Sequence, residues 1–462
     1  MTKSPITIAA AYVGSIVMAD GHLFDADLGP LSDSPKSTQR RRGGKPRLVR
    51  ANRRQLRMEA RSLEELLPDD HRARVLWQAT EKLDLSAFYE EIESVESGPG
   101  RPAIDPRVLL VLWLYAISEG VGSARRLARL CREHDAYRWI AGGLEICHRV
   151  LSHFRVAHGA KLDRMLTELL ASLAHAGVIT LRKVAQDGTK VRASAGAASF
   201  RGEKSLKKCL RAARKRVARL KERLDDDDPT TGRGKRAMRE RAAKEREKAV
   251  EAALAALEEV RESQLRNGKK GEPRASTTDA DARRMKMADG GYRPAYNCQL
   301  ATDVDSRMII AARVSNSGGD MGQVEPTLDE IEERLGTKPE SYLVDGGYAK
   351  HATVDELAAR GIKLYAPPPR PPKPRDPTKR QRKTSQHVDD WKERMETDDA
   401  KEIYKERAAS IETINGDLRS HRGLTHFPVR GIDRATSVLL LTALTYNLLR
   451  TLAIAPAVLL PA

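Results

Sequence analysis

"YLVDGGYAK", residues 342–350, ends a short apolar run on Asp345 and then gives up two side chains in succession. Tyr342 to Val344 have the composition of a buried strand. A carboxylate at the end of such a strand lines the ligand crevice of an open α/β sheet. Upstream, "VAQDGTKVRA" (184–193) repeats the pattern, with Val184 and Ala185 leading into Asp187 and Gly188. Both aspartates are therefore read as strand-terminating. Gly188, Gly346 and Gly347 are read as room for a bulky phosphodiester and as permission for a sharp turn. Taken singly, each motif is an ordinary Asp-Gly turn. Together they place two like charges in one crevice, which raises their pKa unless a cation intervenes, and magnesium takes oxygen ligands of this kind.

Working outward from these two strands, "YNCQLATD" (296–303) and "MIIAARVSN" (308–316) form a hairpin, and "QVEPTLDEIEERLG" and "TVDELAARG" read as helices. Strand, hairpin, helix, strand, helix, strand is the order of an α/β domain with a mixed sheet, assigned to residues 177–462. Residues 60–176 are helical throughout. Gly120 and Gly122 interrupt "PRVLLVLWLYAISEG", and "SARRLARLCREH" resumes the helix, which is a helix-turn-helix rhythm shared with plain helical bundles. "HRVLSHFR" (148–155) is the surface read as entering a DNA groove, through Arg149 and Arg155.

Three segments carry charge without a core of their own. Residues 35–57 hold ten basic and no acidic side chains, so residues 1–59 are read as a disordered arm that can lie along phosphates. From about 201 to 275 an insertion rich in Lys, Arg, Glu and Ala has a narrow stripe of Leu206, Leu210, Val217, Leu220 and Leu224. "DDDDPTTGRG" breaks it, and a two-helix hairpin results. Residues 366–388 are proline-rich and basic, an extended linker or a DNA-contacting loop.

A chain of 462 residues with a formal net charge of +18 can bury sizeable cores and has an acidic polymer as its natural partner, nucleic acid first. Solvated basic faces are the bland alternative. Cys131, Cys147, Cys209 and Cys298 include no CxxC pair and fit a reducing cytoplasm; zinc held by Cys131, His134, Cys147 and His153 matches no common finger spacing. The apolar C-terminal stretch is interrupted by Asn447 and Arg450, so it reads as a buried helix and no membrane partner is expected.

A third acidic ligand has to come from the late helix "YKERAASIETINGDLRS" (404–420). Periodicity alone does not choose Glu412 over Glu402, Glu406 or Asp417. Glu412 and Arg419 lie seven residues apart and nearly on one face, whereas Arg407 sits farther round.

Taken together, Asp187 in "VAQDGTKVRA", the block "DADARRMKMADGGYRPAYNCQLATD" (279–303), Asp345 in "YLVDGGYAK" and the series Tyr404, Arg407, Glu412, Arg419 resemble the bacterial insertion-sequence DDE transposases. The resemblance runs from about residue 60 to the C-terminal helix. It implies an RNase H-like catalytic core behind a helical domain, with Asp187, Asp345 and Glu412 as the metal-binding triad. Two Mg2+ ions, replaceable by Mn2+, would serve an in-line displacement. Tyr404, Arg407 and Arg419 match the helix signature written Y, R, E, K, with phosphate contacts as their implied role. The Arg-to-Glu interval here is one residue longer than the commonest form, and Arg419 stands where lysine is usual. The implied partners are double-stranded DNA, as element ends and as target, and a second copy of the chain in a working homodimer on the bacterial nucleoid. A catalytically inactive DNA-binding protein of the same fold, and a metal-dependent nuclease without strand transfer, are the other readings.

Overall fold

A computed structural model describes residues 60–94, 102–225, 233–266, 270–369 and 384–460, with Arg54 and Gly268 besides. The basic arm, the centre of the "DDDDPTTGRG" break and most of the proline-rich segment lie outside the described residues. Residues 60–462 form one compact unit.

Among the described residues seven α-helices come first: α1 (Arg72–Glu81), α2 (Ser86–Tyr89), α3 (Pro106–Ser118), α4 (Ala124–Glu133), α5 (Asp135–Ala141), α6 (His148–Ala157) and α7 (Gly159–His175). Their starts follow local chemistry. Asp105 accepts from the Arg107 N–H ahead of Pro106 in α3, and Ser123 accepts from the Arg126 N–H to open α4. Gly142 ends α5 in the left-handed conformation, φ 58°.

The sheet is built from β1 (Lys183–Arg192), β4 (Arg283–Lys286), β5 (Tyr292–Asp303), β6 (Ile309–Ser315), β7 (Ser341–Leu343) and β8 (Lys363–Tyr365). β5 is the long member. One edge of it pairs antiparallel with β1, and the other carries β4 on its first part and β6 on its second. β7 pairs parallel with β1, and β8 parallel with β7. The sheet is thus mixed, antiparallel on one side of β1 and parallel on the other. α10 (Val324–Leu335) and α11 (His351–Ala359) make the crossovers on the parallel side.

Between β1 and β4 the chain leaves the sheet. Short strands β2 (Phe200–Arg201) and β3 (Ala275–Ser276) pair as a stem for α8 (Glu203–Asp225) and α9 (Arg233–Arg266). These helices pack through a small core of Leu206, Val250, Ala253, Ala256, Leu257 and Ala275.

After β8 come α12 (Gln386–Glu396), α13 (Asp398–Arg407), a five-residue π-turn (Ala408–Glu412), α14 (Thr413–Ser420) and α15 (Ile432–Ile454). α15 is long and apolar enough to cross a membrane, yet 67% of its most apolar stretch is buried inside the protein. It packs on β6 and on α3, α6 and α7. Leu439, Leu441, Leu444 and Leu448 are fully buried, and each such leucine contributes about 2 kcal/mol. Its two polar interruptions have partners. Asn447 exchanges both amide bonds with the Ile309 backbone (2.9 and 2.7 Å), and Arg450 donates to the Ser306 carbonyl (3.0 Å). One continuous core therefore runs from the helical segment into the sheet, in place of a separate core for each.

Candidate active site

Asp187 does not terminate its strand. β1 runs on to Arg192 because β5 is long enough to pair with it throughout, from Val184↔Asp303 to Arg192↔Ala295. The turn propensity of Asp-Gly is overridden by that ladder. Gly188 is required for a different reason from the one its sequence context suggests. A Cβ there would lie 2.4 Å from Gln299 Nε2, 2.5 Å from Asp320 Oδ1 and 2.8 Å from Asn297 Oδ1. The space is filled by a polar cluster of the protein itself, in which Asp320 accepts from Asn297 (2.8 Å), Gln299 (2.9 Å) and Lys190 (3.0 Å).

Asp345 lies two residues past the end of β7, after the buried Val344, and is exposed. The parallel register pairs Val184 with Tyr342 and Ala185 with Leu343. The ladder ends there, two residues short of both Asp187 and Asp345. Gly346 is needed because a Cβ would come within 2.9 Å of the Pro367 carbonyl oxygen; Gly347 borders open space. Neither adopts a positive φ. Tyr348 then turns inward, and its hydroxyl donates to Gln299 Oε1 (2.7 Å).

The third predicted acid is brought in by the π-turn. Five residues at α-helical pitch would leave Glu412 about 140° round the axis from Arg407. The wider turn closes that gap. Arg407 Nη2 lies 2.8 Å from Glu412 Oε1, and its Nη1 lies 3.7 Å from Asp187 Oδ1. The guanidinium also sits 5.8 Å from the Tyr404 ring centroid, within cation–π range. One turn on, Asn415 donates to Asp187 Oδ2 (3.0 Å). The other acids of this segment are engaged elsewhere: Glu402 with Lys405, Glu406 with Lys183, and Asp417 with Arg422.

Burial pushes the Asp187 carboxyl above the usual carboxylate range, opposed by Arg407, the Gly188 N–H and Asn415 and reinforced by Asp320. Among the described residues no three His, Cys, Asp or Glu side chains form a ready cation cage. Instead, a guanidinium stands between Asp187 and Glu412. Asp187 and Glu412 both present carboxylate oxygens, a ligand type that suits hard divalent ions, and the Arg407 guanidinium supplies a positive charge between them.

Arg419 is exposed on α14 and shares the wall of a groove with Lys190, Arg192, Lys286 and Arg293. In the helical segment the two predicted DNA contacts part company. Arg149 is exposed on α6. Arg155 is 3% exposed, stacked 4.6 Å from the Trp113 ring and bonded to the Gly122 carbonyl, and burial lowers its pKa to about 10. It braces α6 against α3 and cannot reach a phosphate. The more open basic face is on α4, where Arg125, Arg126 and Arg132 are exposed and carry no carboxylate partner among the described residues, while Arg129 faces Glu133 at 3.5 Å. That face was readable in "SARRLARLCREH", since Ala124, Leu127 and Cys131 form the buried stripe and the arginines fall opposite.

Comparison with known families gives two matches: residues 263–448 to the Transposase DDE domain and residues 61–157 to the Transposase domain (DUF772). No curated protein and no solved structure matches. The first match spans Asp345, Tyr404, Arg407, Glu412 and Arg419 and begins after Asp187. Asp187 lies outside both matches.

Proposed function

Because the chain belongs to the insertion-sequence DDE transposases, we propose that it binds the terminal inverted repeats of its element and catalyses metal-dependent strand cleavage and strand transfer at Asp187, Asp345 and Glu412. The observation that carries this is the meeting of three separate chain segments. Arg407 pairs with Glu412 (2.8 Å) and faces Asp187 (3.7 Å), and Tyr404 beside it lies within electrostatic reach of both Asp345 and Glu412, which supports the reading.

The strand order supports an RNase H-like core: three antiparallel strands, β6, β5 and β1, followed by β7 and β8 parallel to β1. Divalent ions, Mg2+ or Mn2+, held by the three carboxylates would lower the pKa of the attacking hydroxyl and stabilise the leaving oxygen. The protein's own groups do the rest. Asn415 fixes the Asp187 carboxylate through its amide. Tyr404 holds the Arg407 guanidinium in place, and that guanidinium moves from carboxylates to phosphate oxygens when DNA and metal arrive. Arg419 binds a neighbouring phosphate with a planar fork where a point charge is usual. Exposed arginines of α4 and Arg149 hold duplex DNA. Working as a homodimer, two such chains pair two element ends in the bacterial cytoplasm.

The test is cleavage of DNA bearing the element's termini, with and without magnesium. Asp345→Asn is expected to abolish cleavage and leave gel-shift binding intact, because phosphate contacts elsewhere supply most of the affinity. Persistent cleavage by that variant would remove Asp345 from the site. Joining of the freed 3′ end to target DNA separates a transposase from a plain nuclease.

A further inference from the structure

The groove that holds Arg419 starts at Gly188, one residue from Asp187, and has a volume of about 630 Å³. Its walls are the second half of β1, the β4–β5 hairpin and the end of α14. Lys190, Arg192, Lys286, Arg293 and Arg419 line it, against a single acid, Asp289, which is tied to Arg293 at 2.7 Å. Lys190 is tied to Asp320, so Arg192, Lys286 and Arg419 remain without a carboxylate partner among the described residues. A second cavity of about 680 Å³ continues from the first, since Arg192 and Arg293 line both. Its floor is Ala193 to Ala197, with no large side chain. Its rim carries Arg430 and Tyr292, the latter 61% exposed.

This track is built in advance. The loop after α14 is laced to the end of β1, where the Arg192 N–H donates to the Thr425 carbonyl (3.2 Å) and the Phe427 N–H donates to the Arg192 carbonyl (2.8 Å). Unpaired cations on a fixed backbone are matched by evenly spaced phosphates. A floor of alanine, serine and glycine beside an exposed aromatic ring is matched by unstacked bases.

We infer that the groove from Gly188 to Arg430 carries one unpaired DNA strand as it leaves the reacting phosphate, with Tyr292 as the stacking platform. This rests on the transposase reading and specifies where its substrate strand runs.

The experiment compares the full chain with Lys286→Gln/Arg430→Gln, Tyr292→Ala and Tyr292→Phe. Binding is measured by fluorescence anisotropy, without metal, to a labelled oligothymidine strand and to blunt duplex of equal length. All the altered side chains are exposed, and thermal melts check that folding is unchanged. Removing two phosphate contacts is expected to flatten the single-strand salt slope by about 1.4. Tyr292→Ala is expected to weaken single-strand binding about tenfold, with Tyr292→Phe restoring it. Duplex binding should change less than twofold. Unchanged single-strand affinity and slope, or equal losses on strand and duplex, would overturn the inference. Magnesium-dependent cleavage by the wild-type protein is scored separately, so failure of the transposase reading is distinguishable from failure of the strand track.

Discussion

Deleting Ala409 tests whether the π-turn exists to correct a one-residue excess in the helix. Ala409 is exposed, whereas Ser410 and Ile411, beside it, are buried. Its loss therefore empties no part of the core. At α-helical pitch, Glu412 would then follow Arg407 by four residues, about 40° round the axis and about 6 Å along it, the spacing at which such pairs meet. Inserting an alanine after Ala409 does the opposite and turns Glu412 a further ~100° away from Arg407. The Arg407–Glu412 pair is half exposed on its acidic side, 51%, so its own stability is worth at most about 1 kcal/mol, and neither change should move Tm much through that pair. Activity separates them. The deletion should keep magnesium-dependent cleavage of element ends within a few-fold of wild type, while the insertion should lose about 100-fold or more, the scale of an ångström-level misplacement of a reacting group. A deletion variant that melts normally and is dead, or an insertion variant that is fully active, would refute the role given to the turn.

Other outcomes follow from the same geometry. The Asp187 carboxyl is raised in the folded protein, so its contribution favours the fold below the unfolded value near 3.9 and is lost as pH rises through the folded one. Asp187→Asn, neutral throughout, is expected to raise Tm at pH 7 and to match wild type near pH 3; a lower Tm at pH 7 would mean that Arg407 and Asn415 outweigh burial. Asn447→Leu leaves the Ile309 N–H and carbonyl unsatisfied in the core and should cost about 1–3 kcal/mol in urea denaturation. Asp279 accepts from Tyr296 (2.7 Å) and from the Gly431 N–H (3.1 Å). Its loss to alanine should lower Tm, while magnesium-dependent cleavage per folded molecule stays near wild type, unlike Asp345→Asn. Arg155→Gln should destabilise without changing the salt dependence of duplex binding, whereas Arg149→Gln should flatten the salt slope by about 0.9.

The sequence was most legible where one local signal was enough. The apolar run before Asp345 ends as a strand does, and the β5–β6 hairpin lies where β-branched residues and a short turn indicate it. It was least legible where distant pairing decides. Nothing near "QDG" announces that β5 will hold β1 straight for four residues past Gly188. Gly188 looks like open space in the sequence because the Asp320 cluster that fills it comes from more than a hundred residues away. The charge of Arg155 suggests a surface contact, yet it lies one helical turn from Leu151 and so on the buried stripe. The π-turn is invisible to periodicity, since a single extra residue shifts the apolar stripe by no more than ordinary helix ends do. The interval from Arg407 to Glu412, one longer than usual, was its only trace.

That α15 comes after the helices and strands that pack on it has a genetic corollary. Helices near the N-terminus and strands from the middle both close upon residues 432–454. A premature stop anywhere before that stretch therefore strips the lining from both at once. Damaged copies of the gene should yield chains that are cleared rather than stable fragments that still occupy element ends, so a decaying element would fall silent without poisoning its intact siblings.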